Sequence, residues 1–375
     1  MTDLIPRPTA RDVAYGVVLG LDPPAPTARP GSALPPLAAL ERAVLPALRR
    51  PPCLVSFSGG LDSSPVLAIA TRVARWEGLP DPVPVTWRFT DAPRARETPW
   101  QAKIIAELDL TRQWQILHAG DDLDLVGPVA RRLLTRYGQM HPPSRHLHLP
   151  IVELARGGAL LTGVGGNQIL AGWRQRPGSL RARLGRLRTG LRRRPPDLLP
   201  WLRPDVARQA RRAFTAEQRA EPHRLAARIA WHLRRRDLTM TRVGLAAIAA
   251  DHDVLAVTPL LDERFAAALF ARHGRMRSPS RRELLAAIAD AALPPVIITP
   301  RPKTAFDEVF LRTPTRELVS AWDGSGVDDS LVDVAALRRE WSRRRFDSRT
   351  AALVQQVWLA SLSAPEGRPD LEAPR

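Results

Sequence analysis

The chain has 375 residues and a single cysteine, Cys53. One cysteine cannot form an internal disulfide, so no disulfide framework is expected and nothing points to an oxidising compartment. No apolar run reaches the about 20 residues needed to cross a bilayer. Met1-Thr2-Asp3 does not open a basic stretch followed by an apolar one, so no signal peptide is expected. The default expectation is a cytoplasmic protein without a membrane partner. Lysine is scarce as well: Lys103 and Lys303 are the only two, although the formal net charge is +18. Arginine carries the remainder, and unevenly. Between Arg174 and Arg242 stand 20 arginines against five acids, which leaves the rest of the chain close to neutral. Such a stretch reads most simply as solvated helix faces. Its alternatives are a surface for nucleic acid, an acidic peptide or a membrane.

Apolar residues are abundant, at 44% of the chain, enough for a large core in one or two domains. The run Cys53-Leu54-Val55-Ser56-Phe57 reads as a buried strand, and Val66-Leu67-Ala68-Ile69-Ala70 opens a helix. Between them lies Ser58-Gly59-Gly60-Leu61-Asp62-Ser63-Ser64. A strand, a turn rich in Gly and Ser, and then a helix is how α/β proteins hold phosphate. The glycines let the backbone approach an anion, and the first helical amides point at it. Ser58, Ser63 and Ser64 add hydroxyls, and Asp62 adds a carboxylate suited to a hard cation such as Mg²⁺.

Further strands are expected at Pro84–Phe89, Gln113–Leu117 and Ala159–Thr162. Helices are expected at Leu37–Leu45, Glu97–Leu108, Leu123–Tyr137 and Leu147–Arg156. This alternation predicts an α/β, doubly wound parallel sheet with the ligand beyond the carboxyl ends of its strands. The phosphate loop, Trp87 and the turn after Thr162 then share one rim. Trp87 either packs in the core or lines the nucleotide pocket. From Trp173 the pattern turns helical. Pro195-Pro196, Pro200 and Pro204 predict several short helices, and periodic stretches follow at Leu225–Arg236, Val243–Ala250, Arg264–His273, Arg281–Ala292 and Ala351–Leu362. The expected organisation is an extension at 1–50, a nucleotide-binding core at 51–172 and an Arg-rich helical region at 173–242. A helical remainder carrying Lys303 follows at 243–363, with a disordered tail at 364–375. His141, His146 and His148 read as loop and capping residues, since their spacing fits no common zinc pattern. Asp121, Asp122 and Asp124 read as an acid cluster at a helix N-terminus, and Glu97 as a first-turn helix acid.

The phosphate loop lacks the lysine of a Walker P-loop. It resembles instead the SGGxDS loop of the ATP pyrophosphatases, the PP-loop fold related to adenine nucleotide α-hydrolases. Three later segments narrow the resemblance: Leu161-Thr162-Gly163-Val164-Gly165-Gly166-Asn167-Gln168, Ala256-Val257-Thr258-Pro259-Leu260-Leu261-Asp262 and Arg301-Pro302-Lys303-Thr304-Ala305-Phe306. In this order they resemble the synthetase domain of asparagine synthetase and its relatives, β-lactam synthetase and the lasso-peptide macrolactam synthetases. The resemblance implies ATP held by Phe57, Ser58, Gly59, Gly60, Asp62, Ser63, Ser64, Trp87, Gly163 and Val164. It implies Mg²⁺ at Asp62 with Asn167 as a weak second donor, and Lys303 as the catalytic cation. The implied substrates are a carboxylate, aspartate-like or an acidic peptide, and an amine or ammonia. The implied reaction is amide formation through an acyl-adenylate, with release of pyrophosphate and AMP. Asp262 is expected to cap or brace a turn.

The departures carry information too. Asn167 stands where the family has a second metal-binding Asp, Val164 where asparagine synthetase has Glu and the cyclising relatives often have Tyr, and Gln168 where Glu is common. An amide brings no charge to a cation, and Val164 cannot assist a proton transfer. ATP binding is therefore better supported than turnover. Thr2 stands where glutamine-dependent relatives carry their nucleophilic Cys, and Ser58 lies close to the N-terminus, so a glutaminase domain is not expected. Nitrogen would then come from a separate amidotransferase, a pathway partner or the substrate itself. Two other readings stand beside this one: an ATP-binding accessory protein that forms no amide, and a PP-loop enzyme that modifies RNA. The motifs around Asn167, Asp262 and Lys303 favour the amide ligase, so nucleic acid is not the expected partner.

Overall fold

The computed structural model describes residues 5–23, 34–89, 98–173, 199–277, 279–289, 292–299 and 307–363. Lys303 and its segment lie outside the described residues, as do Glu97, the basic run 174–198 and the tail 364–375.

Helices α1 (Ala10–Tyr15) and α2 (Pro36–Leu48) lead into β1 (Cys53–Ser56). The chain then alternates through α3 (Ser63–Trp76), β2 (Val83–Phe89), α4 (Thr98–Glu107), β3 (Gln115–Ala119), α5 (Pro128–Tyr137), α6 (Leu149–Leu154) and β4 (Ala159–Thr162). Next come α7 (Pro204–Ala220), α8 (Leu225–Leu233), α9 (Arg236–Ala250), β5 (Leu255–Val257), α10 (Glu263–His273) and α11 (Arg281–Ala289). The last helices of more than one turn are α12 (Thr313–Ala321), α13 (Val334–Trp341) and α14 (Ala351–Ser363).

The five strands form one parallel sheet in the order β3-β2-β1-β4-β5. Chain order runs outward from β1 in one direction and then returns to its other side. This is the doubly wound arrangement, and the crevice between β1 and β4 is its switch point. Successive strand side chains point to opposite faces, and both faces are covered. Cys53 and Val55 of β1, with Ala159 and Leu161 of β4, pack on Leu40, Val44, Leu67, Ile69 and Phe265 from α2, α3 and α10. Leu54 and Leu160 point the other way and join Val85, Leu133, Ile151 and Ile248. A sheet buried on both sides reads as continuous apolar runs, as Cys53-Leu54-Val55 and Ala159-Leu160-Leu161 do. A third cluster, around Val13, Trp201, Leu337, Trp341, Leu353 and Trp358, unites α1 with the C-terminal helices.

The structure corrects several expected elements. Pro204 starts a helix instead of breaking one: α7 runs unbroken for 17 residues, with Pro204 in its first turn, where a missing N–H costs nothing. The break expected between Arg236 and Val243 falls earlier, so Arg236–Ala250 is one helix. Leu255–Val257 is a strand of the sheet within a stretch expected to be helical. The helices 313–321 and 334–341 were not anticipated.

The acid cluster at 121–124 also differs from expectation. The helix starts at Pro128, and Asp124 is fully buried rather than facing a helix end. Its carboxylate accepts from Thr315 Oγ1 at 2.6 Å, from the Arg312 amide at 2.7 Å and from the Val126 amide at 3.0 Å. Burial raises its pKa against the pull of these hydrogen bonds. Asp124 thus ties the loop after β3 to the start of α12. The three histidines are likewise more than capping residues. His146 is fully buried, with ring nitrogens 3.2 and 3.0 Å from the carbonyls of Pro143 and Leu123. Burial lowers the pKa of His141 to about 4 and that of His148 to about 3. Among the described residues no helix is long and apolar enough to cross a membrane.

Candidate active site

The phosphate loop leaves β1 at the switch point and enters α3. The Phe57 amide bonds to the carbonyl of Val85 at 2.9 Å, continuing the sheet for one more residue. The chain then turns through Gly59, whose φ is 82°. The loop's hydroxyls hold its shape: Ser63 Oγ accepts from the Ser58 amide at 3.2 Å and lies 3.1 Å from Ser58 Oγ, which accepts from the Gly60 amide at 3.1 Å. From α4, Gln101 Nε2 donates to the Ser58 carbonyl at 2.9 Å. Ser64 is buried, and its Oγ has no hydrogen-bond partner among the described residues. Asp62 occupies the N-cap position of α3 yet makes no side-chain cap. The Ser64 amide bonds back to the Gly60 carbonyl at 3.0 Å, and the Asp62 side chain leaves the helix start without a cap, where the helix dipole favours an anion.

The turn after β4 presses directly on this loop. A Cβ on Gly163 would lie 2.7 Å from the Asp62 carbonyl carbon and the Ser63 nitrogen, and one on Gly166 would lie 2.3 Å from Asp62 Cγ. Only glycine allows backbone to approach this closely. The sequence places Gly163 and Val164 at the nucleotide, and in the structure Gly163 packs on the phosphate loop's backbone. Val164 is half-buried against the core, and its amide donates to Thr162 Oγ1 at 3.3 Å. Asn167 opens the short helical turn Asn167–Ala171.

Between the two turns stands Arg281, the first residue of α11. Its Nη1 is 3.3 Å from Asp62 Oδ1, and its Nη2 donates to Asn167 Oδ1 at 2.5 Å. This arrangement decides the fit of a divalent ion. The two oxygens expected to hold Mg²⁺ come from one carboxylate, already paired, and one neutral amide, and a guanidinium lies between them. Mg²⁺ takes six oxygens at about 2.1 Å, several of them from water or from the phosphates of a bound nucleotide, and disfavours a neighbouring cation. No group of three or more His, Cys, Asp or Glu among the described residues could hold a metal. By themselves Asp62 and Asn167 do not hold Mg²⁺ while Arg281 stands between them.

Beside the loop opens a cavity of about 350 Å³, lined by Phe57, Ser58, Trp87, Phe89, His148 and Phe310 among others. Trp87 is thus a wall of this cavity. Its indole N–H donates to the Leu147 carbonyl at 3.1 Å, and its ring stacks on Phe89 with centroids 6.5 Å apart. His148 lines the same space as a neutral ring, its pKa pulled down to about 3 by burial. The volume suits a flat heterocycle between aromatic walls. The ring, loop and turn together fit a nucleotide with its phosphates on the loop. Asp262 does what the sequence suggested: its Oδ1 caps α10, accepting from the amides of Arg264 at 2.8 Å and Phe265 at 3.1 Å.

Arg281, Gln101, Phe89 and Phe310 were not singled out from the sequence, and His148 was read there only as a loop or capping residue. For Arg281 a signal existed. Ser280 and Glu283 form a reciprocal cap, a pattern visible in Ser280-Arg281-Arg282-Glu283. That cap places Arg281 at the positive end of a helix, where a cation is disfavoured unless something nearby compensates.

A parallel, doubly wound sheet with a Ser/Gly phosphate loop at its switch point defines an α/β nucleotide-binding protein of the PP-loop fold. The family model for asparagine synthase matches residues 37–364, and the chain belongs to that family. No curated protein matches the chain. Family membership supports ATP-dependent amidation in a general sense and a ligase-type enzyme.

Proposed function

We propose that this chain joins a carboxylate to an amine or ammonia at the expense of ATP, through an acyl-adenylate. The observation that carries the reading is the phosphate loop at the switch point, open at one side to an aromatic cavity and clamped at the other by a glycine turn. The base would lie between Trp87 and Phe89 on one side and Phe310 on the other. The neutral ring of His148 lines the same space and would offer one nitrogen to the base. The loop's amides and hydroxyls would take the phosphates. A carboxylate oxygen of the substrate attacks the α-phosphorus, the bond to the β-phosphate oxygen breaks, and pyrophosphate leaves. The amine nitrogen then attacks the acyl carbon, the acyl–oxygen bond breaks, AMP leaves, and the nitrogen gives up a proton. Lys303, the family's cationic position, is proposed to neutralise charge at the α-phosphate and on the tetrahedral oxyanion.

The test is AMP release from ATP against a panel of carboxylates, with and without Mg²⁺. Aspartate with ammonia comes first, then acidic peptides. AMP formed in step with an amide product supports the reading, and Lys303→Ala should remove it. Val164 and Asn167 favour a second reading. A site whose facing turn carries neither a base nor a carboxylate suits a nucleotide-binding relative that forms no amide. ATP binding without AMP from the whole panel selects that reading.

A further inference from the structure

Arg281 has a position that the proposed reaction does not require. Ser280 and Glu283 fix the start of α11, so the arginine projects from the first turn of a helix. Its guanidinium reaches two separate turns at once, Asp62 at 3.3 Å and Asn167 at 2.5 Å, and about a fifth of each of the Arg281 and Asp62 side chains is exposed. The two acceptors are joined from behind as well, since the Gly166 backbone leaves no room for a Cβ beside Asp62 Cγ. The result is a closed arrangement of one carboxylate, one amide oxygen and one guanidinium at the mouth of the phosphate loop.

The charges explain the residue types. An Asp at position 167 would give two carboxylates across the gap, a net negative pair that draws in a divalent ion. With Asn167 the pair becomes neutral once Arg281 is counted, and a further cation would meet repulsion instead of an open charge. A guanidinium stays charged at any relevant pH and offers five donors in a plane. Asp62 and Asn167 occupy two of its nitrogens. Its Nε is buried without a hydrogen-bond partner among the described residues. Arginine matches phosphate oxygens in the same forked geometry.

We propose that Arg281 is the resident cation of this site: it stands between Asp62 and Asn167 where a divalent ion would otherwise bind, and it gives the phosphate loop affinity for a nucleoside triphosphate without a metal held by the protein. The inference rests on the nucleotide reading above. It goes beyond that reading by making nucleotide binding insensitive to removal of divalent ions.

Calorimetric titration of ATP into the full chain, in EDTA and in excess Mg²⁺, tests it. Wild-type affinity should agree between the two buffers within about threefold, a difference worth less than 1 kcal/mol. Arg281→Gln should lose about 30-fold in EDTA, the scale of a charge-assisted hydrogen bond. Arg281→Lys, which keeps the charge and loses the fork, should recover part of that loss, which separates charge from folding. The double variant R281Q/N167D should gain a site for Mn²⁺ alone, seen by electron paramagnetic resonance, that the wild type lacks. ATP affinity that collapses in EDTA, or Mn²⁺ binding by the wild type that Asp62→Asn abolishes, overturns the inference and leaves the nucleotide reading intact. Failure of the wild type to bind ATP in either buffer sinks the nucleotide reading itself and the inference with it.

Discussion

The two turns on the carboxyl rim of the sheet differ in what they offer a ligand. The turn after β1 keeps every group a phosphate requires: two glycines, three serines and the start of a helix. The turn after β4 also has its glycines, but Val164 and Asn167 bring it neither a base nor a charge. Its glycines serve contact with the first turn, and its amide is held by an arginine from a third element. The lesson is that holding a nucleotide and holding a metal are separable duties. On the proposed reading, the first duty falls to backbone and hydroxyls fixed locally, and a cation delivered from far along the chain stands in for the second.

The largest expected effect comes from breaking the contact between the turns. Gly166→Ala places a methyl 2.3 Å from Asp62 Cγ. It should weaken ATP binding more than about 100-fold and cost about 2–3 kcal/mol of stability, as overpacking does. Calorimetry and urea denaturation check both. Asp124→Ala probes a tie outside the two turns, in the loop after β3. It leaves Thr315 and two amides without their acceptor, and should cost about 3 kcal/mol of stability. Lower pH separates the arginine from the histidines. The unfolded chain protonates histidine near 6.5, whereas burial holds His141 at about 4 and His148 at about 3. Stability is full above 6.5 and falls as pH drops toward 4, by about 1.4 kcal/mol per pH unit for each of the two histidines. Urea midpoints at pH 7 and pH 5 measure it. The smallest effect sharpens the cavity's role: Trp87→Ala should weaken ATP about tenfold, the scale of one lost stacking contact, without changing the response to EDTA.

The phosphate loop was legible because its information is local. Gly59, Gly60 and the serines sit between an apolar strand and an apolar helix, and nothing distant is needed to read them. The sheet was legible for the same reason, down to the continuous apolar runs of β1 and β4. What escaped depends on contacts across the chain. Arg281 meets Asn167 over 114 residues, and Asp124 meets Thr315 over 191, so no window of sequence shows either pair. Pro204 misled because proline interrupts a helix interior but starts a helix as easily. The strand Leu255–Val257 is three residues long, too short for alternation to appear.

The central claim is that the loop from Ser58 to Ser64 binds ATP, and one comparison tests it most directly: equilibrium ATP binding by the wild type and by Gly60→Val. A Cβ at residue 60 already stands 3.0 Å from Ser58 Oγ, so valine would fill the space in which phosphate meets the backbone. The account predicts one ATP per wild-type chain and none for Gly60→Val, with the same circular dichroism spectrum. Equal ATP binding by the two proteins would contradict it.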